Sequence, residues 1–220
     1  FMKFGSAFKE PKTFFKNLCR GTYVELGALD GKRFSNTYMF RHVLNWRGVL
    51  IEPSPQSFSL LQQNRPDDKL VNAAVCSQNS RVHFLENGEN SDRAINGIVE
   101  FMSFDFVKHW HNKLANQNNV LSEIQCLPLS SILDYTFLKK KHIDFLSLDV
   151  EGAEFEVIQT VDFNKHQFGL IFYEADKTNP SKDEAVKTFL EKNGYPFKFH
   201  NLRSNFHINK FWDKIYKNVI

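Results

Sequence analysis

The 220-residue sequence predicts an α/β fold, a doubly wound and mostly parallel sheet with a terminal antiparallel hairpin. Three observations predict it. Segments of strand and helix character alternate, and parallel neighbours need such a crossover between them. Two apolar runs, "YVELGALDG" at 23–31 and "FLSLDVEG" at 145–152, pass directly into carboxylates and a glycine. Finally, "FKFHNLR" and "NFHINK", separated by Ser204, read as two strands of a hairpin.

"TYVELGA" at 22–28 has the β-branched and aromatic content of a strand, ending at Gly27 and Gly31. A helix over 35–46 follows, with Ser35 as its cap and Met39, Phe40, Val43 and Leu44 at helical spacing. "GVLIEP" at 48–53 is a short strand stopped by Pro53, and Ser54 with Pro55 opens a helix whose apolar stripe is Phe58, Leu60 and Leu61. The spacing predicts a third strand over 69–77, beside which 81–87 could pair. The rhythm lapses between 88 and 128, an irregular insertion that either lies over a ligand site or is a plain surface excursion. It resumes with a strand at 142–150, a helix at 152–161 and a strand at 168–175 that ends in Glu174. An amphipathic helix at 182–194 follows, with Ala185, Phe189 and Leu190 on its buried side. The chain reads as one domain, with residues 1–20 as a lead-in segment.

Composition limits the function classes. The formal charge is +3, Lys and Arg are dispersed, and "KKK" at 139–141 is the one compact basic run, so no nucleic-acid partner is expected. No apolar run reaches the roughly 18 to 20 residues that cross a bilayer, and a soluble, cytoplasmic protein is expected, although a chain beginning at Phe1 could be excised from a longer one. Cys19, Cys76 and Cys126 lack CxxC or CxxH spacing, so neither a disulfide framework nor a zinc site is signalled and a reducing compartment fits best. The 23 phenylalanines fit a heavily aromatic core, a compositional bias or a greasy binding surface.

In open α/β sheets, ligands sit outside the carboxyl ends of the strands, where the strand order reverses. Those ends carry Glu25, Asp30, Glu52, Asp149, Glu151 and Glu174. Carboxylates so gathered need hydrogen-bond donors or a cation, which suggests a ligand rich in hydroxyls and amines or carrying positive charge. The first loop is not a dinucleotide fingerprint, because Gly27 and Gly31 flank Ala28, Leu29 and Asp30 and the middle glycine that admits a pyrophosphate is absent. A nicotinamide-dependent oxidoreductase is thereby disfavoured. S-adenosylmethionine removes the conflict: it has a ribose, an amino group and a cationic sulfonium but no phosphate. Glu52 ends the second strand 21 residues after Gly31, where an acidic ribose ligand belongs.

"YVELGALDG", "LIEPSPQSFSLLQQNRP", "NAAV" and "IDFLSLDVEGAEFEVIQ", in this order, resemble the FkbM-type methyltransferase family. The resemblance covers most of residues 20–210, and "EGAE" is its most characteristic element. It implies a Rossmann-like seven-stranded sheet, S-adenosylmethionine as cofactor, and methyl transfer to a hydroxyl oxygen of a sugar, polyketide or other small metabolite. Carried over, it places Glu25, Gly27, Ala28 and Gly31 around the methionine portion, with Leu29, Asp30 and Asn36 as further expected cofactor contacts. Glu52 with Pro53 falls at the ribose and Asp149 with Glu151 at the reacting end, while Ser54, Ala74 and Asp149 are also expected to contact the cofactor. The sequence departs from the usual family pattern at Leu29, where asparagine is common, and at Glu25, often aspartate.

Alignment of an acceptor oxygen would be the larger catalytic effect, corresponding to roughly 7 to 11 kcal/mol, against about 3 to 5 kcal/mol for a positioned base. The candidate bases are Asp149, then Glu151, with Glu174 in support. Asp149 could instead cap the following helix and Glu151 favour its dipole. No fixed-spacing motif indicates a metal. His109, Trp110 and His111 in the insertion are either an acceptor platform or polar loop. A non-catalytic module on the same fold is the rival class.

Overall fold

The computed structural model describes residues 15, 18–86, 96–101, 120–136, 142–150, 152–175, 180–201 and 204–208. The parallel part of its main sheet consists of β1 (Thr22–Leu26), β2 (Arg47–Ile51), β3 (Lys69–Val71), β8 (His142–Leu148) and β9 (Gln167–Glu174). The hairpin of β10 (Phe197–Asn201) and β11 (Ser204–Ile208) completes the order β10-β11-β9-β8-β1-β2-β3. The strand order reverses between β1 and β8, which pair in parallel with Glu25 opposite Ser147. Within this sheet the antiparallel pairings among the described residues are β11 against β9 and β10 against β11. This is the expected Rossmann-like arrangement.

Alternation along the strands sends side chains to two covered faces. On one, Val24, Leu26, Ile51, Leu146 and Leu148 pack with residues of α3 (Leu129–Thr136), α4 (Glu154–Ile158) and α5 (Pro180–Lys192). On the other, Tyr23, Leu50, Phe145 and Phe172 meet Phe40 of α1 (Tyr38–Val43) and Leu61 of α2 (Pro55–Asn64). Much of the phenylalanine lies here. Phe15, Phe40, Trp46 and Phe145 pack with ring centroids 4.8 to 6.2 Å apart, and Phe172 stands 5.2 Å from Phe206. Such pairs add about 0.5 to 1.5 kcal/mol each beyond area burial.

Several elements differ from expectation. The strand expected over 69–77 breaks after Val71, where the Asn72 side chain donates to the carbonyls of Glu52 (2.8 Å) and Pro53 (3.1 Å). Its second half, β4 (Ala74–Val75), enters a separate sheet of order β4-β7-β5-β6 with β5 (Ser80–Glu86), β6 (Gly97–Ile98) and β7 (Val120–Leu127). The irregular insertion therefore contains an eight-residue strand, β7, paired antiparallel along the whole of β5. Its alternation is clear only in its second half, where Ile124 and Cys126 face inward. The helix expected over 35–46 is the shorter α1. Ser35 Oγ does accept the Tyr38 amide at 3.1 Å, but Val43 is 70% exposed rather than part of a buried stripe. Cys76 and Cys126, for which spacing signalled no bridge, are joined by a disulfide inside this second sheet; Cys19 is free and exposed. Strand pairing rather than sequence motif brings the two thiols together, Cys126 standing opposite Ala74 and Ser80. Among the described residues, no helix is long and apolar enough to cross a membrane.

Candidate functional site

The parallel strands β1, β2, β8 and β9 end on one rim, and there the structure gathers Glu25, Glu52, Asp149 and Glu174. Glu52 and Asp149 follow the strands on either side of β1, which places them roughly 10 Å apart at ordinary strand spacing. Glu151, His109, Trp110 and His111 lie outside the described residues.

The crevice begins at Gly27. Its φ of +75° is accessible to glycine, and a Cβ there would overlap the carbonyl oxygen of Asp149 and lie 3.1 Å from the carbonyl carbon. The first loop therefore leaves β1 in backbone contact with the end of β8. Gly27 and Ala28 both donate to the carbonyl of Ile51, at 3.1 and 3.3 Å, so the loop is also tied to β2. Leu29 has φ +49°, and its amide donates to Glu52 Oε2 at 2.8 Å. Asparagine tolerates that left-handed conformation better than leucine. Asp30 Oδ1 is used within the loop, accepting the amides of Lys32 (2.9 Å) and Arg33 (2.7 Å).

Glu25 is fully enclosed. Oε2 accepts from Ser35 Oγ (2.9 Å) and Thr37 Oγ1 (2.5 Å), and Oε1 accepts from the Asn36 amide (2.5 Å). Burial raises its pKa; the nearby Arg65 guanidinium and these hydrogen bonds oppose that. The Asn36 side chain reaches across to β8, donating to Ser147 Oγ at 2.7 Å, while its Oδ1 is buried without a hydrogen-bond partner. Asn36 thus spans β1 and β8 at the point where the strand order reverses.

Glu52, 2% exposed, accepts the Ser54 amide on Oε1 (2.8 Å) as well as that of Leu29. Burial pushes its carboxyl up to about 7, with the amide hydrogen bonds opposing and Glu86 and Asp30 adding to the rise. Ser54 caps α2 by accepting the Ser57 amide and donates to Glu86 at the end of β5, so the second sheet touches this end of the rim. Pro53 precedes it half-buried, and Ala74 is buried in β4.

Beyond β8, the side chain of Glu154 folds back on the turn. Its Oε1 accepts the amides of Val150 (3.2 Å) and Gly152 (3.4 Å), and burial pushes its carboxyl up to about 7. Asp149 is half-buried, and the carbonyl that meets Gly27 is its own. Glu174 is half-buried at the end of β9, one strand farther from β1, with Ser204 opposite.

A family model described as the methyltransferase FkbM domain matches residues 25–197. The chain belongs to this methyltransferase family. S-adenosylmethionine is accordingly its cofactor. A solved structure of an FkbM methyltransferase from Methylobacillus flagellatus KT is similar, at 15% identity and TM-score 0.50, covering 87% of this chain and 45% of that one. The present chain therefore spans less than half the length of that relative. A precorrin-6y C5,15-methyltransferase from Geobacter metallireducens GS-15 aligns with TM-score 0.42 and 15% identity over 90% of this chain and 84% of that one. A methyltransferase from Pyrococcus furiosus aligns with TM-score 0.42 and 13% identity over 91% and 82%. No curated protein matches the sequence.

Sequence reasoning passed over three groups in this FkbM domain. Ser35 and Thr37 hold Glu25, Glu154 holds the turn after β8, and Arg65 lies beneath the first loop. "EGAE" contained the signal for Glu154: a carboxylate two residues past a glycine can turn back to accept that glycine's amide.

Proposed function

We propose that this chain binds S-adenosylmethionine along the rim of β1 and β2 and directs its methyl group to a hydroxyl oxygen of a small metabolite. The observation that carries the reading is an unpaired buried acceptor near the ends of β1 and β8. Asn36 Oδ1 is buried without a donor, on a side chain bonded to Ser147 of β8, and no side chain can fit at Gly27 after β1. An unpaired buried acceptor costs about 1 to 3 kcal/mol, and an ammonium group is the kind of donor that relieves it.

In this reading the loop 27–31 and Asn36 hold the methionine portion. Glu52, whose oxygens each use one lone pair on a backbone amide, has lone pairs left for the two ribose hydroxyls. Pro53, Ser54 and Ala74 line the nucleoside end. When bound, the cofactor supplies an electrophilic methyl group on a cationic sulfur.

The protein's own contribution is orientation first and proton transfer second. Asp149 accepts the proton that the acceptor hydroxyl loses, Glu151 is the second candidate, and Glu174 supports the charge at the far side. The insertion at 88–128 covers the acceptor and selects it, as irregular segments above α/β rims commonly do.

Thermal shift with S-adenosylhomocysteine against NAD tests the cofactor site. Stabilisation by S-adenosylhomocysteine is expected, and stabilisation by NAD alone would overturn the reading. Glu52→Ala should weaken the binding at least tenfold; unchanged affinity would remove the ribose assignment. Incubation with isotopically labelled methyl donor and a metabolite extract, followed by mass and magnetic-resonance analysis of the product, should find the label on oxygen. Label on nitrogen or carbon would refute the acceptor class.

A further inference from the structure

We propose that Arg65 is the positioning residue of the donor-binding loop, acting on the donor through residues 27–37 without touching it. The proposal rests on the reading above that this loop receives S-adenosylmethionine. Arg65 follows the last residue of α2 and is 2% exposed. A guanidinium offers five N–H donors in a rigid planar fork. Here each has an acceptor: Nε reaches Asp68 Oδ2 (2.8 Å), Nη1 the Gly31 carbonyl (3.0 Å) and Ser35 Oγ (3.3 Å), and Nη2 Tyr23 Oη (2.6 Å) and Thr37 Oγ1 (3.3 Å). One side chain therefore joins β1, the loop at Gly31 and Ser35, the residue before α1 and the turn after α2.

The hydroxyls make the arrangement directional. Ser35, Thr37 and Tyr23 each accept from Arg65, so each must donate elsewhere. Ser35 and Thr37 donate to Glu25, and Tyr23 donates to Asp68 Oδ1 at 2.7 Å. Arg65 thus sets the proton positions of the two hydroxyls that enclose Glu25. It also pins the carbonyl of Gly31, whose Cα approaches so closely that a Cβ would lie 2.6 Å from Arg65 Cγ. The groups facing Glu25 are Arg65 from the end of α2, Ser35, Asn36 and Thr37 from the loop, and Ser147 opposite in β8. Arg65 is the charged one among them. A lysine would keep the charge but lose the fork, because an ammonium is a point donor that cannot span these acceptors.

The test is calorimetric affinity for S-adenosylhomocysteine across a pH series. It compares wild type, Arg65→Lys, Arg65→Gln and a control core deletion on the opposite face, Val186→Ala, at a temperature where circular dichroism shows all folded. Arg65→Lys should bind at least tenfold more weakly and Arg65→Gln more weakly still. In Arg65→Gln the acid-side loss of affinity should move to higher pH, because Glu25 loses the charge that opposes its burial. Val186→Ala should lower Tm and leave affinity and pH profile unchanged. Wild-type affinity in both Arg65 variants would overturn the proposal, as would an equal loss in Val186→Ala at matched Tm. The wild-type titration reads the donor assignment separately: no binding there removes that assignment and this proposal with it, whereas binding in wild type with unaffected Arg65 variants removes the Arg65 role alone. If Arg65→Gln does not fold, the comparison of Arg65→Lys with Val186→Ala decides.

Discussion

The backbone of Gly27 and the carbonyl of Asp149 are in direct contact, with no space between them for even a methyl group. The ends of β1 and β8 are therefore held at a distance fixed by main-chain atoms. Gly27→Ala must either push β8 away or flatten a φ of +75°. Overpacking typically costs about 1 to 3 kcal/mol, and alanine at positive φ adds about 1 kcal/mol more. The variant should show a correspondingly lower urea midpoint, and an unchanged midpoint would contradict the contact.

Leu29 offers the opposite experiment. It occupies the left-handed region at φ +49°, a conformation that costs most side chains about 1 to 2 kcal/mol. Leu29→Asn should raise stability by about 1 kcal/mol, because a short amide side chain tolerates that region. Its backbone amide remains available to Glu52. Chemical denaturation reads the gain directly, and a loss would mean that the leucine side chain makes a compensating contact.

Stability should fall as pH rises from about 4.5 toward neutrality. Burial pushes the carboxyls of Glu52 and Glu154 up from 4.5 to about 7. A carboxyl with a raised folded pKa favours the fold in its protonated state. Its contribution is complete below the unfolded value and is lost as pH climbs through the folded one. At about 1.4 kcal/mol per pH unit, each group can withdraw roughly 3 kcal/mol between about pH 4.5 and about pH 7. Tm measured across that range should decline, and Glu52→Gln should flatten the decline; a profile identical to wild type would refute the assignment.

Alkylation of the native protein should modify one cysteine, Cys19, and alkylation after reduction should modify three. The Cys76–Cys126 bridge closes a segment with a sequence separation of 50, for which chain-entropy arguments give about 4 kcal/mol. Reduction should therefore lower the denaturation midpoint. Two or more labels before reduction would exclude the bridge.

How far the site was legible follows from the chemistry of each part. Glu25, Glu52 and Asp149 were readable because a parallel sheet carries every strand end to one rim, so apolar runs that stop at acids must meet. The helix cap at Ser54 was readable because Ser-Pro followed a strand. Arg65 was not, since its five acceptors come from segments up to 42 residues away and no local pattern records them. β7 was hidden because only half of it alternates. The bridge between Cys76 and Cys126 arises from strand pairing alone, so spacing could not announce it.

The order of the last two strands bears on how the molecule is made. β11, though later in sequence, inserts between β9 and β10, so the hydrogen-bonding edge of β9 stays open until residue 208 has been synthesised. That edge displays Leu170, Ile171 and Phe172, the kind of bare apolar ribbon that pairs with other chains. During translation the nascent polypeptide thus carries an open strand border until its final hairpin is made, and truncations before Ser204 are expected to aggregate rather than shorten harmlessly.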